Sequence, residues 1–533
     1  MTATITATDA AARLDSGGEA ALIDLREAGQ FGEGHPLFAV PLPYSVLEAR
    51  IGALVPRRDA PVMLIDGGDG IAARAASRLA ALGFTDLSVV EGGTPGWAAA
   101  GLTLYKGVNV PSKVLGELVE AAWHPPMVTA PELARWQAEG KPMAFFDVRP
   151  PAEYSRFTVP GATCLPNGEL VHRLPAAVPE GLPVVLTCAG RTRGIIGAVS
   201  LKLAGHKGEL HALENGTQGW NLAGLEVARQ NTPQPLPQPD AAMLADAASR
   251  AEAICAAAGV AIIDAASAAA MAAEAGRTSY LLDIRSAEEA AADPVPAARH
   301  ALSGQLVQAT DQWVAVRGAR LLLLDDAGLR GAVAAFWLKQ MGFEPVVVRL
   351  GPPEGCPLRA LPAPSSDVPA PRGAVSPQTA LGMVRRGEAE FVDLRPSMTY
   401  RKGHVAGAVW GIRPRLAALA AKMGERRILL IADDAAALAL AQQELAGSGH
   451  EALAVTGGHD ALAAAGAAVE ATPQHPADQD CLDYLFFVHD RHDGNMEAAR
   501  GYLSWEIELV DQLSPAERAA FRLMDESAFS GGA

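Results

Sequence analysis

The residues best suited to chemistry are Cys188 and the six that follow it, Ala189, Gly190, Arg191, Thr192, Arg193 and Gly194. They stand between an apolar run, VVLT, and a helix-forming stretch, GIIGAVSLKLAG. A thiol at a strand-to-helix turn faces backbone N–H groups and the positive end of a helix dipole, and both lower its pKa. Two guanidinium groups in the same loop match an oxyanion through planar paired donors. The chemistry this suits is nucleophilic attack by Cys188 on a sulfur atom bearing an anionic leaving group.

The elements that must position this loop recur four times along the chain. An apolar strand ending in Asp-x-Arg appears as LIDLR at Asp24, FFDVR at Asp147, LLDIR at Asp283 and FVDLR at Asp393. About 40 residues later a second apolar strand ends at Asp66, Cys188, Asp325 or Ala432 and runs into a helix. Each helix stops at a glycine 17 residues beyond that strand end (Gly83, Gly205, Gly342, Gly449), and a further strand and a turn follow. The turns read EGGTPGW, ENGTQGW, LGPPEG and TGGHD. Strand, helix and strand with short connections predict an α/β fold of four tandem modules, each a parallel sheet flanked by helices. Uninterrupted apolar strands fit sheets covered on both faces.

The expected modules are 1–103, 124–230, 245–351 and 374–470. A helix within 104–126 joins the first two, and proline-rich spacers occupy 231–240 and 352–373. Residues 478–533 form a helical C-terminal extension, whose aromatic residues are expected to pack on the fourth module. Its last helix starts at Ser514, with Pro515 and Glu517 as a capping signature. Only the second module has a nucleophile at the strand end; the carboxylates at the junctions of the other three would repel an anion.

DVRPPAEYSRFTVPGA (147–162), CAGRTRG (188–194) and LENGTQGW (213–220) resemble the rhodanese homology domain. DLRPSMTYRKGHVAGAV in the fourth module is similar to the same opening motif. The resemblance extends from about residue 4 to 470 and is to sulfurtransferases with four tandem rhodanese modules. It implies that Cys188 takes the outer sulfur of thiosulfate, releases sulfite and becomes a persulfide. A thiol, a protein acceptor or cyanide then removes that sulfur. The amides of Ala189 to Gly194 would hold the terminal sulfur, with Arg191 and Arg193 neutralising the sulfonate. Asp147 and Arg149 correspond to a structural pair, and no cofactor beyond the covalent persulfide is implied.

Arg191 departs from the commonest bacterial loop, which has glycine there, so the donor stays open. 3-Mercaptopyruvate is disfavoured, since its enzymes carry a Cys-Gly-Ser/Thr-Gly-Val-Thr-like loop. The Cys-x4-Arg spacing is one residue tighter than the Cys-x5-Arg ring of cysteine-dependent phosphatases and arsenate reductases, which disfavours phosphate chemistry. A sulfur relay or scaffold fed by a partner enzyme is the alternative of a different class. In two-module rhodaneses an inactive module packs on an active one. The first module is therefore expected to pair with the second, and the third with the fourth, the latter pair holding an acceptor or building a homodimer.

The formal charge of −16 argues against nucleic acid or an anionic membrane as partner. Five scattered cysteines without a CxxC pair fit a reducing compartment and give no metal site. With an N-terminus unlike a signal peptide and no membrane-length apolar stretch, the expected location is the cytoplasm. Cys164 reads as a small buried hydrophobe, Trp97 and Trp220 as core caps, and His172, His206 and His211 show no partner pattern.

Overall fold

The computed structural model describes residues 3–364, 368, 370–492 and 495–526. Parts of the expected spacer 352–373 and extension 478–533 therefore lie outside the described residues.

Four five-stranded sheets form, all parallel, and in every one the strands lie in the order first, fifth, fourth, second, third. The second sheet comprises β1 (Met127–Val128), β2 (Ala144–Asp147), β3 (Thr163–Cys164), β4 (Val184–Thr187) and β5 (Leu210–Leu213). Every residue of β4 is buried, as a strand covered by helices on both faces requires. β2 and β4 run in register, Asp147 beside Thr187, so the Asp-x-Arg motif ends level with the approach to Cys188.

In each module the Asp-x-Arg pair does the same work. Arg149 donates to both carboxylate oxygens of Asp147 (2.9 and 2.6 Å) and to the Phe157 carbonyl (2.5 Å). Arg26, Arg285 and Arg395 likewise clasp Asp24, Asp283 and Asp393 and reach the carbonyls of Gly34, Asp293 and Gly403. The pair ties a strand end to the chain eight residues on, in a place where a lone charge would be costly.

The modules do not pair as the sequence reading expected. The first, apart from Ala11–Ala20, and the fourth share one compact unit, and the second and third share another with the described residues after Phe486. In the first unit Arg413 donates to both oxygens of Glu48 (2.6 and 2.7 Å), and Arg78 and Tyr44 donate to Glu444 (2.6 and 2.8 Å). In the second, Arg330 bonds Glu169 (2.9 Å) and Glu289 (2.5 Å), and Arg173 bonds the same two carboxylates. Buried carboxylate–guanidinium partners chosen across the chain decide the pairing, and no local pattern announces them.

The extension is corrected as well. A helix over Met496–Glu508 buries Ala499, Tyr502, Leu503 and Glu506 within the second unit, not on the fourth module. Its amphipathic spacing fixes which face is covered but not by what. The Ser514 capping box forms with Glu517.

Glu48 and Arg413 are both buried. Arg413→Ala should leave the buried carboxylate only the longer Arg78 pair (3.4 Å) and destabilise the first unit by about 3 kcal/mol. A urea midpoint unchanged from wild type would contradict this.

Candidate active site

The site forms where β4 meets α2 (Thr192–Leu203), with α1 (Val110–Trp123), α3 (Gly216–Leu222) and α4 (Met496–Glu508) around it. The first turn of α3 is the clamp on this loop. Thr217 donates to the Cys188 carbonyl through its backbone N–H (2.8 Å) and hydroxyl (2.7 Å), and the Gln218 N–H reaches the Ala189 carbonyl (3.0 Å). Gly216 has φ +53°, and a Cβ there would lie 2.4 Å from the Cys188 carbonyl oxygen. Only glycine lets the turn approach so closely.

Cys188 is 2% exposed, and its sulfur points into the loop, where the Gly190 and Gly194 amides favour its thiolate. Burial nevertheless outweighs them and pushes the thiol pKa up, assisted by Glu506 and opposed by Arg193. The lowered pKa expected from loop geometry alone is therefore not what this closed arrangement gives.

The two arginines divide. Arg193 interacts electrostatically with Cys188 while bonding both oxygens of Glu153 (2.7 and 2.8 Å) and Gln305 (3.2 Å). Burial alone would raise the Glu153 carboxyl, but Arg193 holds it at about 2. Arg191 is turned to α1, where it bonds Glu117 through two nitrogens (2.8 and 3.0 Å), Glu120, and Asn215 at 3.3 Å. Both guanidiniums expected to meet a sulfonate are thus already engaged by carboxylates.

The other junctions give an internal control. In the first module the Asp66 carboxylate accepts from the Gly68 and Ala72 amides, both at 2.9 Å. These are the second and sixth amides after the strand end, the positions that Gly190 and Gly194 hold after Cys188. In the third module Asp325 accepts from Gly331, again the sixth, at 3.0 Å, and from Arg330, which stands where Arg193 does. The acidic junctions do not merely repel an anion; they fill its cradle. The fourth module has Ala432 there, with neither charge nor nucleophile.

The remaining candidates sit elsewhere. Burial and Asp147 push Cys164 up to about 12; a 1040 Å³ cavity that it borders shares no residue with the Cys188 loop. Trp220 packs in the module core and donates to the Glu226 carbonyl (2.9 Å), and Trp97 donates to Thr103 (3.2 Å). His172 is buried and held down to about 4; His211 bonds Glu209.

Glu117, Glu120, Glu153 and Glu506 escaped the sequence reading. Glu506, in the apolar stripe of Ala499, Tyr502 and Leu503, and Glu117, in line with Val110 and Val114, carry a local signal. Among the described residues no cluster of three or more potential ligands could hold a metal, and no helix is long and apolar enough to cross a membrane.

Repeated sheets of one strand order, with an amide-ringed cysteine at one junction, have known counterparts. The rhodanese-like domain family matches residues 6–100 and 129–223, and the chain belongs to the rhodanese family. A thiosulfate sulfurtransferase from Pseudomonas aeruginosa is 37% identical over 97% of this chain and 99% of its own, with a TM-score of 0.89. An uncharacterized protein, YibN, from Escherichia coli K12 is 33% identical over 98 residues, 18% of this chain and 68% of that protein.

Burial, opposed by Arg191 and assisted by Glu506 and Glu120, raises Glu117 to about 7. A raised carboxyl stabilises the fold fully below its ordinary range, and that contribution is lost as pH rises towards about 7. Glu117→Gln should flatten the fall in unfolding midpoint between about pH 5 and 7. An identical slope in the variant would count against it.

Proposed function

We propose that this chain is a sulfurtransferase that carries sulfane sulfur as a persulfide on Cys188, charged by thiosulfate or a similar anionic donor and discharged by a thiol, a protein acceptor or cyanide. The observation that carries the reading is the cradle. The sixth amide after the strand end receives an aspartate carboxylate in the first and third modules and faces a thiol in the second, and the second amide does the same in the first and second modules. The loop is built to hold an anionic atom, and in one module that atom is a nucleophile.

Charging forms a bond between Cys188 Sγ and the outer sulfur of thiosulfate and breaks the bond to the sulfonate sulfur. Sulfite leaves with the electron pair. The Gly190 and Gly194 amides then face the persulfide, and Arg193 offsets its charge. An acceptor thiol attacks the outer sulfur, and Cys188 leaves as the thiol or thiolate. The family membership and the P. aeruginosa relative, named for thiosulfate, support this donor. Modules one, three and four are inactive in this reading.

A second reading, a relay that takes persulfide from a partner enzyme, is favoured by the carboxylates that already hold Arg191 and Arg193. It predicts little turnover of free thiosulfate but ready sulfur acceptance from a protein donor.

Incubation of the full chain with thiosulfate should add about 32 Da at Cys188. Cys188→Ser should add none and lose essentially all thiosulfate–cyanide activity. An adduct mapped to another cysteine, or a variant as active as wild type, would refute the assignment.

A further inference from the structure

The second module does not complete its own loop. Glu506, on α4, is 3% exposed. Its Oε1 accepts from the Thr192 hydroxyl at 2.7 Å, while Oε2 is buried without a hydrogen-bond partner. That free oxygen lies 3.2 Å from where a Cβ on Gly190 would stand. Gln218, 5% exposed, has both side-chain amide atoms buried and unpartnered, and its Nε2 lies 3.9 Å from the same point. Gly190 lacks a side chain, so two buried polar groups converge over the backbone beside the nucleophile.

Unpartnered buried polar atoms are costly, and retaining three of them at one spot implies that donors and an acceptor arrive from outside the chain. The charge balance says of which kind. Arg191 is neutralised by Glu117 and Glu120, and Arg193 by Glu153. Lys113 and Arg491 also stand near α4, over the Tyr502 ring (6.0 and 3.5 Å), yet no donor bonds Glu506 Oε2, and a buried carboxylate oxygen left open in this way favours a cationic donor over an anion.

We propose that Glu506 and Gln218 form an acceptor subsite for a thiol bearing an ammonium group, which donates to Glu506 Oε2 and Gln218 Oε1 while its sulfur meets the Cys188 persulfide. This rests on the persulfide reading above. The acceptor sulfur forms a bond to the outer persulfide sulfur, the bond to Cys188 Sγ breaks, and its electron pair stays on Cys188. The proton lost by the acceptor thiol ends on Cys188, so an aminothiol persulfide and a free cysteine result without an external oxidant or reductant.

The test uses the full chain charged with thiosulfate, freed of excess donor and checked by intact mass. Cysteamine, 2-mercaptoethanol and mercaptoacetate, compared at equal thiolate concentration, carry positive, zero and negative charge on similar frames. Loss of the adduct should be at least about tenfold faster with cysteamine than with mercaptoacetate, the neutral thiol falling between. Glu506→Gln should shrink that spread to within about twofold. Equal rates for the three thiols in wild type overturn the proposal whether or not the variant folds. So does a spread that survives in Glu506→Gln, or a loss by one common factor for all three, which marks a structural prop. Failure to form the adduct instead removes the persulfide reading, and this inference with it.

Discussion

A strand that ends in a turn of exposed amides leaves donors that something must accept. That demand organises the first three junctions. In the first module Asp66 answers it from its own side chain, and in the third Asp325 does so with help from Arg330. In the second the acceptor is a sulfur atom, polarisable and able to leave with or take up another sulfur. The turn at Gly216 and Thr217 exists to hold the loop in that shape, because the Cys188 carbonyl must be satisfied from behind while its side chain faces the amides. The first and third modules keep the cradle without a cysteine. A carboxylate satisfies donors of this cradle, so a module without the cysteine is still structurally sound.

The electrostatics around Cys188 follow from burying too many charges for any to stand alone. Glu153 meets Arg193, Glu117 and Glu120 meet Arg191, and each pair removes a desolvation cost that neither partner could bear singly. The outcome is a loop whose positive groups are already engaged. Anion attraction at this site still comes from Arg193 first and then from the Gly194 and Gly190 amides, which carry no counter-ion and cannot be neutralised.

Spacing made the modules readable. Asp-x-Arg at a strand end, a second strand end about 40 residues later and a terminating glycine together specify a parallel sheet, because only that geometry uses all three. The clasp of Arg149 on Asp147 was legible for the same reason: both residues lie within one turn of chain. Module pairing was not legible. It rests on Arg413 with Glu48 and Arg330 with Glu169, partners hundreds of residues apart in one case and in unremarkable contexts in both. Sequence periodicity reports that a face is buried; it does not report against what. The same limit hid Glu506, whose helix was readable and whose destination was not. Its place in the apolar stripe of α4 was the one visible sign that this carboxylate had been taken indoors.

The raised pKa of Cys188 is then a property of the closed site rather than an objection to its chemistry. Burial and Glu506 oppose the thiolate; Arg193 and the Gly190 and Gly194 amides favour it. Of these, burial and the Glu506 charge are the two that an arriving molecule can change. A cation set against Glu506 cancels the repulsion, and the amides and Arg193 remain fixed in the backbone and in the Glu153 pair. A neutral, 2% exposed thiol resists chance oxidants, which act on accessible thiolates. The same arrangement that restrains Cys188 at rest leaves the groups needed to activate it already in place.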